Sequence, residues 1–565
     1  MFICIYMSLF SQKFVNIANA RREAVKMIVD EKIDSEERVI KVVRQMCSKY
    51  KVTCLDLKKS GLIETYREML VNAEINENKQ FEQLMTKRKV RTQSGVSVIS
   101  VMTKPLSCPG KCIYCPTQDN MPKSYLDNQP AAMRGVMFDF DPYEQVRARL
   151  MMLDRMGHDI SKNEVIILGG TFSAHPARYQ ELFIKRIYDA FNNYSGGKVL
   201  GSRFKVLEGE KILNSKYKTQ NIADDLEGAK RINETADCRM IGLTIETRPD
   251  WVTPTEVKRL RYFGVTRVEL GVQSVFDDVL LGVKRGHDVA KIKKATKLLR
   301  QAGFKIVYHI MPGLPGSSVE RDIEMFKLLF SDSGFFPDHL KIYPTVVLKD
   351  SQLYKIWQKG GYKPYKNKQV IRVLQEAKKL VPPWVRIVRI MRDIPQESIV
   401  DGVKVSNLRQ QLEEAGAVCQ CIRCREPKGK FVKKLKMIKR SYMVLGGREI
   451  FLSYESIDGK NILALVRLFI PDGKTNLVVK KIHEIKDCAL IRELHTYGTV
   501  IGVDKKENNR SQHRGLGKKL MGKAELEAKK NGLTKMAVIA GVGVREYYKK
   551  TGYKLIGEYM IKDLV

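Results

Sequence analysis

The sequence predicts an α/β protein with a helical, basic N-terminal segment, a partial (β/α)6 barrel and a smaller C-terminal α/β domain. At 565 residues the chain exceeds what one ordinary hydrophobic core holds, so two or more domains are expected. Short β-rich runs alternate with amphipathic helical stretches from Val96 onward, and a second alternation begins at Tyr442. Hydrophobic residues make up 44% of the chain and charged residues 29%, which is typical of a globular protein.

Residues 1–90 are predicted to be helical. Strong helix formers dominate, and charges alternate with apolar positions through Ala18–Cys47 and Thr65–Lys87. The apolar opening Met1–Phe10 lacks a basic start and is far shorter than the ~20 residues that span a bilayer. Because no later run is long enough either, we expect a cytoplasmic protein that does not contact a membrane.

The predicted barrel occupies residues 91–385. Strand–helix alternation at the observed spacing implies parallel βαβ units. Six units are fewer than the eight of a closed barrel, so a partial barrel fits best. The strand candidates are Val96–Met102, Val165–Leu168, Met240–Thr247, Arg267–Val272, Phe304–Met311 and His339–Tyr343.

A linker at residues 386–440 separates the barrel from the C-terminal domain, and it contains the basic stretch Arg425–Arg440. The C-terminal domain, residues 441–565, has a helix candidate at Gly517–Lys530. Its strand candidates are Ile462–Phe469, Ala489–Tyr497 and Met536–Ala540.

Cys108, Cys112 and Cys115 have the spacing C-x3-C-x2-C and follow the first predicted strand. Three thiolates so placed can bind three corners of a cubane iron–sulfur cluster and leave one iron without a protein ligand. That iron can chelate S-adenosylmethionine, and an electron from the cluster then cleaves the sulfonium to a 5′-deoxyadenosyl radical. The alternative is a zinc knuckle or structural thiols, although zinc normally needs a fourth ligand close by.

This motif and the α/β pattern after it resemble the radical S-adenosylmethionine superfamily. Further stretches resemble, within it, the Elongator catalytic-subunit family in an archaeal-like single-chain form. These stretches are Val90–Pro105, Gly169–Phe172, Ala229–Ala236, Ile241–Asp250, Val268–Ser274 and Met311–Gly316. The resemblance covers roughly residues 85 to 565 and is weaker before them.

The resemblance implies a cofactor site at the strand ends. Gly169 and Gly170 follow a buried strand, where glycine lets the backbone approach a ligand, and in the superfamily this position contacts the methionine amino group. Glu246 closes another strand and can accept hydrogen bonds from a ribose diol. Glu269 and Gln273 point from the next strand, and the alternative for both is a satisfied polar group that lines the barrel.

Cys419, Cys421 and Cys424 have the spacing C-x-C-x2-C and lie between the two α/β domains. They could hold an iron–sulfur cluster, but they do not follow a strand as the first triplet does. With a fourth donor they would form a closed tetrahedral zinc site that fixes the linker. We predict zinc here, with a fourth ligand that the sequence does not name.

The segment Gln512–Gly517 precedes a predicted helix, whose first backbone N–H groups suit a pyrophosphate. It resembles the phosphate loop of GNAT acetyltransferases, and Glu493–Gly498 and Tyr547–Tyr553 resemble that family's pantetheine strand and final helix. The alternative is a vestigial fold that no longer binds coenzyme A. The implied acetyl-CoA contacts are Arg492, Glu493, Leu494, His495, Gln512, Arg514, Gly515, Leu516, Gly517, Tyr547 and Tyr548.

Joined in one chain, the two domains suggest that the acetyl group is itself the radical substrate. Abstraction of a methyl hydrogen, addition of the carbon radical to a pyrimidine C5, loss of hydrogen and thioester hydrolysis would leave a carboxymethyl group. The resemblance implies the same product: carboxymethylation at C5 of the wobble uridine in tRNA. It also suggests that Lys162 holds the acetyl-CoA end in the barrel, although by sequence alone Lys162 would pass for a surface lysine.

The charge of the chain favours a polyanionic partner. Lys and Arg number 100 against 63 Asp and Glu, a formal charge of +37. A tRNA anticodon arm offers phosphates and an unstacked base, although any one basic run can also be a solvated face. The expected contacts are Arg21, Arg22, Lys87, Arg88, Lys89, Arg91, Lys433, Lys434 and Lys436. An electron donor is needed, and a homodimer or further Elongator-like subunits stay open.

Two other functions stay open at this point. A histone-type lysine acetyltransferase with a structural iron–sulfur cluster needs a general base in the acetyl site, and the sequence does not identify one. A tRNA-binding scaffold with inactive sites is the second, and the intact triplet of Cys108, Cys112 and Cys115 argues against it.

Overall fold

The computed structural model describes residues 2–86, 95–194, 223–405, 407–428, 432–473, 476–498 and 515–564. The N-terminal segment is a bundle of helices, as predicted: α1 (Phe2–Asp30), α2 (Glu36–Tyr50), α3 (Lys59–Val71) and α4 (Lys79–Met85). Ser35 and Asn78 cap α2 and α4, because each side chain accepts a backbone N–H three residues on. Within the described ranges, every helix is too short or too polar to traverse a lipid bilayer.

The bundle has its own apolar core and rests on the barrel. Ala24, Leu62 and Met69 are fully buried inside it. Arg67 of α3 forms an ion pair with Asp154 at 2.7 Å, which joins the bundle to the first barrel helices.

Seven parallel strands form the barrel sheet in the order β1-β2-β3-β4-β5-β6-β8. The outer strands β1 and β8 do not pair with each other in the described structure, so the barrel is partial, as predicted. A separate antiparallel pair consists of β7 (Val347–Leu348) and β9 (Ile399–Asp401). The seven strands are β1 (Ser97–Met102), β2 (Lys162–Leu168), β3 (Arg239–Thr247), β4 (Arg267–Gln273), β5 (Lys305–Ile310), β6 (His339–Ile342) and β8 (Arg386–Arg389).

Helices connect these strands, and short polar side chains determine where several of them begin. Asp141, Asp225, Thr253, Asp288 and Ser318 each accept a backbone N–H in the first turn of the helix that follows. The helices are α5 (Pro130–Met137), α6 (Pro142–Arg155), α7 (Ala177–Asn192), α8 (Leu226–Asn233), α9 (Pro254–Tyr262), α10 (Asp277–Gly282), α11 (Val289–Gln301), α12 (Val319–Ser331), α13 (Gln352–Gln358), α14 (Asn367–Leu380) and α15 (Leu408–Glu414).

The C-terminal domain is a second seven-stranded sheet in the order β10-β11-β12-β13-β14-β16-β15. Its core side chains pack beneath α16 (Leu516–Lys530), and α17 (Arg545–Lys549) precedes the last hairpin. The strands are β10 (Leu435–Val444), β11 (Gly447–Ser456), β12 (Ile462–Pro471), β13 (Cys488–Thr496), β14 (Lys535–Val538), β15 (Lys554–Ile556) and β16 (Tyr559–Asp563).

The sequence analysis did not predict five of the fourteen strands in these two sheets: β8, β10, β11, β15 and β16. β8 is a charged, four-residue strand just beyond the predicted end of the barrel at residue 385. β10 begins inside the predicted linker, at Leu435, and its exposed positions include Lys436 and Lys439, with Lys434 just before it. Because basic side chains occupy exposed positions, the strand lacks the apolar signal of a buried one.

Buried ion pairs join the two α/β domains. Asp338, next to β6, accepts a hydrogen bond from Arg492 of β13 at 3.1 Å and lies 3.4 Å from Arg467 of β12. Arg492 also donates to the carbonyl oxygen of Phe304 at 2.6 Å and pairs with Glu449. The Arg467 and Arg492 side chains are 0% exposed and the Asp338 side chain 2%. Charges this deeply buried are tolerated only when each has a partner, so these pairs fix the orientation of the domains.

A second set of contacts closes the opposite side of the same interface. Glu558 receives hydrogen bonds from Lys230 of α8 at 2.5 Å and from Arg545 at 2.6 Å. The Tyr559 hydroxyl donates to the carbonyl oxygen of Ala302 at 2.8 Å. A Cβ on Gly541 would lie 2.0 Å from the Ile241 carbonyl oxygen, so only glycine allows this close approach.

We expect Asp338→Ala to lower the free energy of unfolding by about 3–5 kcal/mol, because it leaves buried guanidinium groups without a carboxylate. Urea unfolding followed by circular dichroism measures the loss. Glu320→Ala, which removes an exposed partner of Arg372, is the matched control and should cause no measurable change. Equal stability of the two variants would contradict the structural role of the buried pairs.

Candidate active site

The first cysteine triplet lies at the carboxyl ends of the parallel strands, where active sites of barrel folds lie. A cavity of about 200 Å³ opens there. All three cysteines line it, together with Glu246, Glu269, Gln273 and Gly170. The structure therefore brings together residues from four strand ends that the sequence placed in one predicted site.

Two buried features hold the triplet. Gly110 donates its backbone N–H to Cys108 Sγ at 3.4 Å, within the loop. Arg285 lies 3.4 Å from Cys112 Sγ and is itself held by the carbonyl oxygen of Gly271 at 3.0 Å. Burial alone would raise the pKa of the Cys112 thiol, but the Arg285 charge outweighs it and the pKa is lowered. Burial raises the pKa of Cys115.

The spacing of the thiols differs between the two triplets. The Sγ atoms of Cys419, Cys421 and Cys424 all lie within 4.8 Å of one another, and those of Cys108, Cys112 and Cys115 do not. One tetrahedral zinc ion holds its sulfur ligands about 3.8 Å apart, given its usual Zn–S distance. In a cubane cluster each thiolate binds a different iron, which requires a wider spacing. The first triplet therefore fits a cluster, and the second fits a single ion.

Gly169 and Gly170 form a strap beside the triplet. Their φ angles are 134° and 90°, which lie in the region that favours glycine. A Cβ on Gly169 would lie 1.9 Å from Thr103 Oγ1, whereas a Cβ on Gly170 would meet nothing closer than 3.5 Å. Gly169 is thus required for packing, and Gly170 presents backbone to the cavity.

The predicted polar ligands differ in how far their side chains are already bound to other residues. Glu246 accepts a hydrogen bond from the Tyr125 hydroxyl at 2.8 Å. Glu269 is already occupied, since it accepts from His309 at 2.7 Å and pairs with Lys341. Burial opposes the charge on Glu269, but Lys341 and His309 lower its pKa well below the usual range. Gln273 has a φ of 73°, and its side-chain oxygen is buried without a hydrogen-bond partner in the described residues.

Several cavity-lining cations were missed by the sequence analysis: Arg248, Arg285, Lys341, Arg389 and Arg392. Arg248 binds Asp250 through two hydrogen bonds, at 2.9 and 2.8 Å, and its Nη1 has no partner among the described residues. The signal that could have found Arg248 is its position directly after the strand that ends in Thr247. Arg285, Lys341 and Arg392 meet partners remote in sequence, which no local pattern reports, and Arg389 pairs with Asp393 four residues on.

A second cavity, of about 820 Å³, lies between the inner face of the barrel and β13. From the barrel it is lined by Glu164, Arg267, Lys305 and His339, and from the C-terminal domain by Glu493, His495 and Tyr497. It shares seven lining residues with the first cavity, so the two cavities adjoin: Lys341, Arg389, Met391, Arg392, Asp393, Ile394 and Ile399.

Lys162 begins β2, at the end remote from the cysteine triplet. Side chains alternate along a strand, so Lys162 shares a face with Glu164 and Ile166, which line the second cavity. The structure thus places Lys162 on the side that faces the C-terminal domain, where the resemblance implies an acetyl-CoA contact.

The predicted acetyl-CoA residues gather at one edge of the C-terminal domain. Gly515, with a φ of 67°, precedes α16, and a Cβ on Gly517 would lie 3.3 Å from the Tyr547 hydroxyl. The paired register of β13 and β14 ends at Ile491 and Val538, which leaves a wedge beyond it. Tyr548 belongs to the apolar core, and Tyr547 packs beside it. Gln512 and Arg514 lie outside the described residues.

The side chains of β13 point in different directions. Arg492 and Glu493 take part in the buried ion pairs with the barrel, and Leu494 packs on the C-terminal core. A β-bulge at Arg467 and Leu468 adds one residue to β13 here, which accommodates Arg492 at the interface. For Arg492 and Leu494 the structure leaves the backbone as the group that can reach a ligand.

The second triplet ties the linker to both domains. Cys421 is buried, and the next residue, Ile422, donates its N–H to the carbonyl oxygen of Val385 at 2.9 Å. Arg425 reaches Glu455 of β11 at 2.8 Å. At this turn, the described residues that could hold a metal ion together are the three cysteines.

The predicted tRNA contacts differ in accessibility. Arg21 donates to the carbonyl oxygen of Asp56 at 2.8 Å, inside the bundle, and Arg22 pairs with Glu74. The exposed members are Lys433, Lys434 and Lys436. Lys87, Arg88, Lys89 and Arg91 lie outside the described residues.

Comparison with known proteins agrees with this geometry. The chain matches the Radical SAM superfamily over residues 105–329 and the Radical_SAM C-terminal domain over residues 337–416. It is 40% identical to the tRNA uridine(34) acetyltransferase of Methanocaldococcus infernus, over 96% of this chain and 100% of that protein. It is 36% identical to Elongator complex protein 3 of Bos taurus, over 84% of this chain and 86% of that protein.

A solved structure also matches. The archaeal Methanocaldococcus infernus Elp3 with an N-terminal deletion (1-46) superposes with a TM-score of 0.68 at 40% identity. The match covers 83% of this chain and 99% of that one.

We expect Gly169→Ala to lower the free energy of unfolding by about 1–3 kcal/mol, because its Cβ would overlap Thr103 Oγ1. Gly316→Ala is the matched control, since Gly316 also has a positive φ of 86° but nothing within 4 Å of its Cβ. Thermal unfolding should show the larger loss for Gly169→Ala, partly recovered by adding Thr103→Ala. Equal losses in the two single variants would show that steric overlap plays no part.

Proposed function

Because the chain belongs to the radical S-adenosylmethionine family that includes tRNA uridine(34) acetyltransferases and Elongator complex protein 3, we propose that it carboxymethylates C5 of the wobble uridine in tRNA. The acetyl group of acetyl-CoA is the carbon donor. The observation that carries this proposal is that the two cavities adjoin, because one is lined by the cysteine triplet and the other by β13 of the C-terminal domain.

The first cavity suits the cluster and S-adenosylmethionine. Cys108, Cys112 and Cys115 would hold three irons, and Gly170 and Glu246 would contact the cofactor. When bound, the cluster and S-adenosylmethionine supply a 5′-deoxyadenosyl radical that abstracts hydrogen. The chain contributes the cavity at the strand ends and Arg285, whose charge stabilises the Cys112 thiolate.

The C-terminal domain would hold acetyl-CoA along the wedge beside β13. The N-terminus of α16 offers backbone N–H groups to a pyrophosphate, and the Tyr547 hydroxyl lies beside Gly517. The acetyl end would then extend through the second cavity toward the triplet, past the face of β2 on which Lys162 lies.

The tRNA would bind through the basic surface. The exposed lysines at 433, 434 and 436 fit phosphate contacts, and Lys87, Arg88, Lys89 and Arg91 remain predicted contacts. Arg21 and Arg22 are weaker candidates, because each already has a protein partner. The proposed reaction also needs an electron donor and is placed in the cytoplasm, where tRNA is available.

The second triplet is proposed to bind zinc. Its three sulfur atoms are close enough for one tetrahedral ion, and Arg425 already links this turn to β11. Zinc at this position would stabilise the connection between the barrel and the C-terminal domain.

Reciprocal cysteine variants test the two metal assignments. We expect Cys108→Ala to lose iron and keep zinc, and Cys421→Ala to lose zinc and keep iron, because the spacings of the two triplets differ. Metal analysis of anaerobically purified protein measures both metals in each variant. Loss of zinc, rather than iron, from Cys108→Ala would overturn the assignment.

The reaction is tested on the reconstituted, reduced protein with S-adenosylmethionine, acetyl-CoA and tRNA. We expect 5′-deoxyadenosine and carboxymethyluridine in the tRNA, and neither product from Cys112→Ala, which cannot complete the cluster. Mass spectrometry of the digested tRNA measures the modified nucleoside. Acetylated protein without 5′-deoxyadenosine would instead favour a lysine acetyltransferase, and tRNA binding without either product would favour an inactive scaffold.

A further inference from the structure

His495 lies where the two domains meet, on β13, and lines the second cavity. Its Nε2 is buried and has no hydrogen-bond partner among the described residues. A buried polar atom without a partner is costly, so one that faces a cavity of this size is suited to a water molecule or a ligand. The ring packs against Tyr497, with the ring centroids 4.3 Å apart, which fixes its orientation.

Burial keeps the imidazole of His495 neutral, and the charges around it act in both directions. Burial lowers its pKa below the usual value of 6.5. Glu493 on the same strand and Glu164 of β2 raise that pKa, whereas Arg386 of β8 and Lys305 of β5 lower it. Since the pKa remains lowered overall, the imidazole is uncharged near pH 7 and can accept a proton.

Three other titratable groups of the cavity, Glu164, Glu493 and His339, are poorer bases. Burial raises the pKa of Glu164, but Arg267 and Lys305 outweigh it and lower the pKa to about 2. The pKa of Glu493 is well below its usual range, because Lys305 and Arg467 outweigh the effect of burial. Burial lowers the pKa of His339 to about 3. His495 is therefore the neutral base best placed in the cavity.

We propose that His495 is the general base that activates water for hydrolysis of the thioester, a catalytic role that rests on the proposed function. Water oxygen bonds to the thioester carbonyl carbon while Nε2 takes the water proton. The carbon–sulfur bond then breaks, and the departing sulfur takes that proton from His495. The products are a carboxylate, the coenzyme A thiol and one released proton, with no change of oxidation state.

The same step applies to acetyl-CoA and to a uridine that carries the acetyl group as a thioester. Arg386 lines the cavity and bonds the Tyr497 hydroxyl at 3.1 Å, so a positive charge lies near the oxyanion that water attack creates. The sequence did not identify a base in the acetyl site, and the structure provides one on the strand assigned to acetyl-CoA.

His495→Gln tests the role, with His483→Gln as the matched control, since His483 is an exposed histidine of the same domain. Release of the coenzyme A thiol from acetyl-CoA is followed with tRNA present and S-adenosylmethionine absent, so no radical step is needed. We expect His495→Gln to slow thiol release at least tenfold at saturating acetyl-CoA, and calorimetry measures the affinity for acetyl-CoA so that a binding defect is told apart from a catalytic one. The wild-type rate should fall as the pH drops through the lowered pKa of the His495 imidazole, because the protonated imidazole is no base.

A second variant guards against a folding defect. His495→Ala should regain thiol release when imidazole is added, and matched melting curves establish that both variants are folded. With S-adenosylmethionine present, His495→Gln should still form 5′-deoxyadenosine and should accumulate a tRNA–coenzyme A thioester adduct, detected by mass.

Several outcomes would overturn the inference. These are wild-type thiol release by His495→Gln, no thiol release by the wild-type protein, or slower release explained wholly by weaker acetyl-CoA binding. None of them bears on the radical step. Absence of 5′-deoxyadenosine from the wild-type protein would instead count against the proposed function and leave the result of the thiol assay intact.

Discussion

The buried pairing of Asp338 with Arg467 and Arg492 is the constraint on which the arrangement of the two α/β domains depends. These charges have no access to water, and each domain alone would leave part of the set uncompensated. The interface therefore fixes the relative orientation of the two domains as well as holding them together. A small rotation between the domains would separate charges that cannot be solvated, so the relative position of β6 and β13 is sharply defined.

That fixed position determines what the two cavities can do together. The strand that carries His495 is held by its neighbours Arg492 and Glu493, whose side chains are anchored in the barrel. A ligand bound along β13 is consequently presented to the strand ends of the barrel at a set distance. The chemistry of one domain thus depends on a charge pattern whose members come from both.

Much of the fold could be predicted from sequence, because strand–helix alternation is a local signal. The six barrel strands and the helix at Leu516–Lys530 were found in this way. β8 and β10 were not found, because β8 is short and charged and β10 has lysines at exposed positions, so neither gives an apolar pattern. The bulge that turns Arg492 into the interface could not be predicted, because it depends on β12 and on Asp338, both remote in sequence.

The candidate site could likewise be predicted from the sequence only in part. Both cysteine triplets are visible as spacings, but only the coordinates show that one triplet is wide and the other tight. The pairing of Glu269 with Lys341 and His309 joins three strands, and no sequence pattern reports a contact of that kind.

The missing strand of the barrel has a consequence of its own. A closed eight-stranded barrel fills its interior with layers of side chains and leaves no room for a ligand. Here the two unpaired edges, Val96 and Val98 on one side and Arg386 and Val388 on the other, become walls of the second cavity. The gap between the outer strands is therefore an opening into the barrel, and the C-terminal domain lies against it.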